Sequence, residues 1–133
     1  MTSIIWKKEY DVGVREIDLQ HRYFANLINR LEEELTENID TEYQNSLIDE
    51  LNAYARFHFI SEENLMRKAN YPDLELHRKH HQQLISNLAN MELELDMNAS
   101  SDNILGIIDF LVKWFLNHTT IEDQHFADYL DNN

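Results

Sequence analysis

LELHRKHHQQLISNL, residues 74–88, is the stretch on which the reading of the fold turns. Leu74, His77, His81, Leu84 and Leu88 recur at alternating steps of three and four, the repeat of one face of an α-helix. Two histidines therefore stand where the neighbouring turns carry leucine. Residues four apart lie one turn above each other on the same side of a helix, so His77 and His81 form a clamp directed toward the core that the leucines fill.

The same repeat continues in both directions along the chain. Upstream, Leu51, Ala55, His58, Glu62 and Leu65 put an imidazole and a carboxylate one turn apart, and His21, Phe24, Ile28, Leu31 and Leu35 put a histidine at the head of an apolar stripe. Downstream, Ile104, Ile108, Leu111, Phe115 and His118 end another stripe on a histidine. Polar, cap-rich stretches near Asn38–Thr41, Asn70–Asp73 and Met97–Asp102 separate the four segments. Asp18 reads as the cap of the first helix, Thr41 with Gln44 as a capping box for the second, Asp73 after Pro72 as the start of the third, and Ser100 or Ser101 as the start of the fourth. Only Gly13, Gly106 and Pro72 break the pattern, and short connections imply antiparallel neighbours. The expectation is an all-α chain: one domain over 1–133, an antiparallel up-down-up-down four-helix bundle over 18–130, and an extended N-terminal arm over 1–17 whose Trp6–Val14 stretch straps across the helices.

Composition narrows the chemistry. The 133 residues are 43% hydrophobic, enough for one core, and carry 25 acidic against 11 basic side chains for a net charge of −14. Such a surface repels nucleic acid and anionic membranes; it attracts cations, although its commonest role is solubility. Cysteine is absent, so any metal must be held by nitrogen and oxygen. The first ten residues contain no apolar run of signal-peptide length and no other segment reads as a membrane span, so the cytoplasm is the expected location.

Each of the four segments carries an inward histidine, and two also carry an inward carboxylate. An unpartnered buried polar group costs about 1–3 kcal/mol, and a bare carboxylate more, so the set calls for a common partner such as a metal centre. Taken singly, each histidine reads as a hydrogen-bonded core residue. Five of them on four core stripes, with HxxxE and HxxxH pairs, make independent accidents a poor account.

His21 within IDLQHR, His58 and Glu62 within HFISEE, His77 and His81 within HRKHH, and His118 and Asp123 within HTTIED carry a resemblance: the whole chain is similar to the bacterial hemerythrins. The likeness extends to Trp6, Tyr10, Val12 and Gly13, to Tyr71–Pro72 and to Trp114. It implies two non-heme iron ions (Fe2+/Fe3+) joined by a bridging hydroxo or oxo group. His77, His81 and His118 would bind one iron, His21 and His58 the other, and Glu62 and Asp123 would bridge them. It further implies reversible binding of molecular oxygen at the open position of the two-histidine iron, in a carrier, store or delivery protein and not an enzyme. Phe24, Ala55, Leu84, Leu111 and Phe115 would form the dry lining that keeps protons and water out. Imidazole and carboxylate donors suit iron but do not by themselves exclude manganese, zinc or cobalt.

One spacing departs from regular geometry. His118 and Asp123 are five apart, about 140° around a regular helix, whereas Glu122 would lie in line with His118. Asp123 is expected to face inward through a one-residue π-bulge near His118, with Phe126 and Leu130 continuing the stripe. His80 and His125 are expected at the surface or boundary. Two rival functions stand beside the resemblance. A ferritin-like oxidase or ferroxidase wants ExxH on two helices; here Glu122 and His125 offer one, Asp18 and His21 only a DxxH, and the HxxxH clamp goes unexplained. An oxygen or redox sensor acting through a partner would use the same centre.

Overall fold

The computed structural model describes residues 4–37, 40–97 and 100–132. Four long rods form the body: α1 (Arg15–Glu37), α2 (Thr41–Lys68), α3 (Leu74–Met97), and a last rod made of α4 (Ser101–Asn117), a π-helical turn (His118–Glu122) and α5 (Asp123–Asp131). The described residues contain no strand. Asn38 and Ile39 in the first separator, Asn98 and Ala99 in the third, and Met1–Ser3 and Asn133 at the ends of the chain lie outside the described residues.

Helix α1 packs against α2 and α4, and α3 packs against the same two, closing a four-membered ring. Two apolar clusters fill its interior. The larger contains Phe24, Ala55, Phe59, Leu84, Leu88, Leu111 and Phe115; the smaller contains Val12, Ile17, Met66, Tyr71, Phe126 and Ala127. Helix α1 runs from the smaller cluster (Ile17) past His21 to the larger (Phe24), and α2 runs back from Phe59 past Glu62 to Met66. Helix α3 climbs again through His77 and His81 to Leu84, and the last rod descends from Phe115 through His118 and Asp123 to Phe126. That alternation is the up-down-up-down bundle, and the polar side chains form one layer between two apolar ones.

Local chemistry sets the helix ends, with two departures from expectation. Helix α1 starts at Arg15 and Asp18 lies inside its first turn, where its carboxylate accepts from the N–H of Val12 (2.7 Å) and of Gly13 (3.1 Å). Asp18 therefore ties the arm to the helix instead of standing before it as a cap. The cap of α2 is Asp40, which accepts from Glu42 N–H, so Thr41 is the first helical residue. Ser100 caps α4 by accepting from Asn103 N–H. Helix α3 begins one residue past Asp73, whose carbonyl accepts from His77 N–H at 3.0 Å. At the end of α2, Asn70 takes φ 56°, Tyr71 N–H returns to Met66 O and Asn70 N–H to Arg67 O, the double reversal that a left-handed residue permits. Tyr71 then packs in the cluster that contains Met66, and Pro72 prevents continuation.

The arm is only partly extended, because Lys8–Tyr10 form a 3-10 turn. Ile4 is buried and exchanges two backbone hydrogen bonds with the Asn29 amide, at 2.7 and 2.8 Å. Trp6 donates to Asp11 and stands 6.3 Å from the Phe115 ring. Gly13 adopts φ +89°, a conformation a side chain would strain. The expectation that no segment is long enough to span a bilayer needs one correction: Asp102–Asp131 passes on length and composition. The bundle uses that apolarity itself, since Ile104, Ile108, Leu111, Phe115 and Phe126 are buried within it. Replacing Asp18 by alanine removes both arm hydrogen bonds and is expected to lower stability by about 1–2 kcal/mol in urea unfolding, the usual loss for charge-assisted bonds of this kind.

Candidate metal centre

Between the two apolar clusters, His21, His58, Glu62, His77, His81, His118 and Asp123 are all buried, and Glu62 and Asp123 have no exposed surface. Each rod contributes: α1 gives His21, α2 gives His58 and Glu62, α3 gives His77 and His81, and the last rod gives His118 and Asp123. Their donor atoms fall into two groups, each within 4.8 Å. One is Glu62, His77, His81, His118 and Asp123; the other is His21, His58, Glu62 and Asp123.

The two carboxylates join the groups by dividing their oxygens. Glu62 turns Oε1 toward the Nε2 atoms of His77 (2.7 Å), His81 (3.2 Å) and His118 (3.7 Å), and Oε2 toward those of His58 (3.4 Å) and His21 (3.7 Å). Asp123 turns Oδ1 toward His77 (2.9 Å) and His118 (3.1 Å), and Oδ2 toward His21 (2.8 Å). Two poles result, one with three imidazoles and one with two, sharing both carboxylates. His21 Nε2, His58 Nε2, Glu62 Oε2 and both Asp123 oxygens are buried yet make no aligned hydrogen bond. At the three-imidazole pole His77 Nε2 meets Glu62 Oε1 at 2.7 Å and His81 Nε2 meets His118 Nε2 at 3.1 Å, while at the two-imidazole pole the atoms crowd together without bonding. This convergence of donors suits a cation, and that is the test the donor set passes.

The π turn brings Asp123 to this place. Its extra residue lets the Asp123 N–H bond to His118 O, five residues back. Glu122 consequently reaches the other side of the same ring, its Oε2 accepting from His118 Nδ1 at 2.5 Å, while Asp123 faces Nε2. Two further imidazoles are held from behind in the same way: His58 Nδ1 meets Gln20 Oε1 at 2.7 Å, and His81 Nδ1 meets Glu63 Oε2 at 2.8 Å. Such partners leave Nε2 as the nitrogen that faces inward. Stacking holds two rings in plane, His81 on Phe59 at 3.9 Å and His118 on Trp114 at 4.6 Å.

Residues 12–130 match the Hemerythrin HHE cation binding domain. The chain belongs to the hemerythrin family. It is 31% identical to a bacteriohemerythrin of Stenotrophomonas maltophilia over 96% of this chain and 82% of that protein. A bacteriohemerythrin of Clostridium acetobutylicum is 28% identical over 93% and 98%, and a hemerythrin-like protein of Naegleria gruberi 25% identical over 94% and 92%. A crystal structure of a hemerythrin with one leucine changed to alanine shares the fold, with a TM-score of 0.83 over 98% of both chains at 24% identity.

Within this hemerythrin bundle, seven residues singled out in the sequence come together. Gln20, Glu63 and Glu122 were not anticipated as partners of the Nδ1 atoms. Glu63 stands in the HFISEE stretch and Gln20 in IDLQHR, but each serves a histidine of another helix, so no spacing within one helix reveals the pairing. His125 is exposed, while His80 is half-buried with Nδ1 2.9 Å from Glu122 Oε2.

Electrostatics follow from this packing. Burial pushes His21 and His77 down, but the carboxylates of Asp123 and Glu62 outweigh it and hold both at about 9. Burial dominates at His58, which falls to about 3. Burial raises Glu62, yet the surrounding imidazoles win and keep it well below the usual carboxylate range. Asp123 is likewise depressed, against burial and the neighbouring Glu62. Folded-state values of His21 and His77 above the ordinary 6.5 stabilise the metal-free chain fully below pH 6.5, and that contribution is lost as pH rises through about 9. Thermal melts of chelator-stripped protein should therefore fall over that window, whereas metal-loaded protein, whose imidazoles are neutral ligands, should show no such alkaline loss.

Proposed function

We propose that the chain holds two iron ions in its bundle and binds molecular oxygen reversibly at one of them, serving as a non-enzymatic carrier, store or delivery protein. The observation that carries this reading is the unequal pair of poles: two shared carboxylates, three imidazoles on one side and two on the other. His77, His81 and His118 would hold the first iron, His21 and His58 the second, and Glu62 and Asp123 would span both. The two-histidine pole has one donor fewer, which leaves room there for an exogenous ligand. When bound, a ferrous pair would supply the two electrons that reversible oxygen binding requires, one from each iron.

The protein side chains do the rest. Glu62 and Asp123 stay ionised at neutral pH and neutralise cation charge without leaving the interior. His58 is held neutral and so needs no proton removed before it coordinates. Phe24 and Phe115 wall the two-histidine pole, their rings 6.0 Å from His58 and 5.9 Å from His21. Water is thereby kept from the position where a bound diatomic would otherwise gain a proton and leave as peroxide. Ala55, Leu84 and Leu111 are buried in the same apolar cluster. The cytoplasmic location expected above belongs to the same proposal, and imidazole–carboxylate donors favour iron without enforcing it.

Anaerobic reconstitution with ferrous iron is expected to give two irons per chain and an absorbance that appears with oxygen and disappears on deaeration. Steady oxygen consumption with peroxide release would instead mark an oxidase, and oxygen-dependent capture of a second protein a sensor. Leu84→Asn, which places an amide in the dry cluster, should shorten the lifetime of the oxygen-dependent colour about tenfold, equivalent to about 1.4 kcal/mol of barrier; an unchanged lifetime would remove Leu84 from the lining.

A further inference from the structure

Among the described residues, two cavities reach the histidines, and their linings differ in charge. The larger, ≈ 360 Å³ between α2 and α3, touches His81 and is lined by Arg56, Arg78 and Glu63, with Arg78 lying 3.4 Å from Glu63 and 3.0 Å from Glu75. The smaller, ≈ 190 Å³, touches His77 and is lined by Asp73, His80, Glu122 and His125 together with Tyr71 and Leu76. No lysine or arginine lines it. Asp73, His80, Glu122 and His125 are donors of the kind that strip water from a divalent cation stepwise, and none belongs to the seven that form the two poles. Glu122 connects the chamber to the interior, because its Oε2 lies 2.9 Å from His80 Nδ1 and 2.5 Å from His118 Nδ1. His77, the innermost wall, is 4% exposed and belongs to the three-imidazole pole.

We propose that this chamber is the port by which ferrous iron enters and leaves the three-histidine pole, with Asp73, His80 and His125 holding the hydrated ion before His77 takes it. The inference rests on the two-iron reading above. A net charge of −14 draws cations to the whole surface, and the His77 side, with Asp73 and Glu122 and no lysine or arginine, favours them over a groove whose two arginines outnumber Glu63. The chamber also explains why His80 and His125, which the centre itself does not use, share one cavity although they come from different helices.

The test follows ferrous iron uptake by the stripped full-length chain in stopped flow, and its release from the loaded chain to a ferrous chelator. The double variant His80→Ala/His125→Ala is expected to slow both rates about tenfold through loss of two nitrogen donors at the port, with two irons still bound at saturation and an unchanged spectrum. His80→Asp/His125→Asp, which keeps cation-binding groups at the port, should restore both rates, and Arg56→Gln in the other groove should leave them unaltered. Native rates in the alanine variant would overturn the proposal, as would equal slowing by Arg56→Gln. A shortfall of iron at saturation in the alanine variant would overturn it too, by showing that these histidines support the centre itself. Failure of the native chain to take up iron at all would strike the two-iron reading instead, so the two failures are distinguishable.

Discussion

Two carboxylates without exposed surface, set among five imidazoles at mid-bundle, are the constraint from which the rest of this structure follows. Removing an ionised carboxylate from water costs several kcal/mol unless opposite charge and hydrogen bonds replace the solvent. Glu62 and Asp123 meet that demand by collecting imidazoles from all four rods, so the polar layer holds together only if the rods arrive in antiparallel order and at matching depth. The apolar clusters on either side supply the driving force for assembly and exclude water from the layer. The carboxylates of Asp123 and Glu62 raise His21 and His77 against burial, while His58, dominated by burial, is lowered.

The π turn at His118–Glu122 resolves a conflict on a single rod. His118 needs a carboxylate behind Nδ1 and another in front of Nε2, and a regular helix offers only one residue in line four positions on. One extra residue in the turn lets consecutive side chains, Glu122 and Asp123, serve the two faces of the same ring. π turns are rare because they weaken backbone packing, and their persistence at such places reflects what they position. The Asp123 N–H to His118 O bond keeps the backbone satisfied through the detour.

The centre is polarised in its surroundings as well as in its ligands. Aromatic rings close the two-histidine pole, and a chamber of carboxylates and imidazoles adjoins the three-histidine pole. Gln20, Glu63 and Glu122 stand behind His58, His81 and His118 and hold ring orientation, so the geometry of the poles is set by the protein itself.

The sequence by itself determined the four helices, their inward faces and six of the seven polar side chains placed on them, because helical periodicity is a local property that a residue count reveals. The irregular step from His118 to Asp123 was legible only through the resemblance of HTTIED, since regular spacing alone favours Glu122. Tertiary structure alone decided what depends on contacts between helices. Gln20 reaching His58 and Glu63 reaching His81 are pairings across helices that no interval encodes. The role of Asp18 as a tether for the arm, and not a helix cap, depends on where the arm returns. His80 and His125 became neighbours of one cavity for the same reason: helix α3 and the last rod bring together side chains whose separation in sequence says nothing of their distance in space.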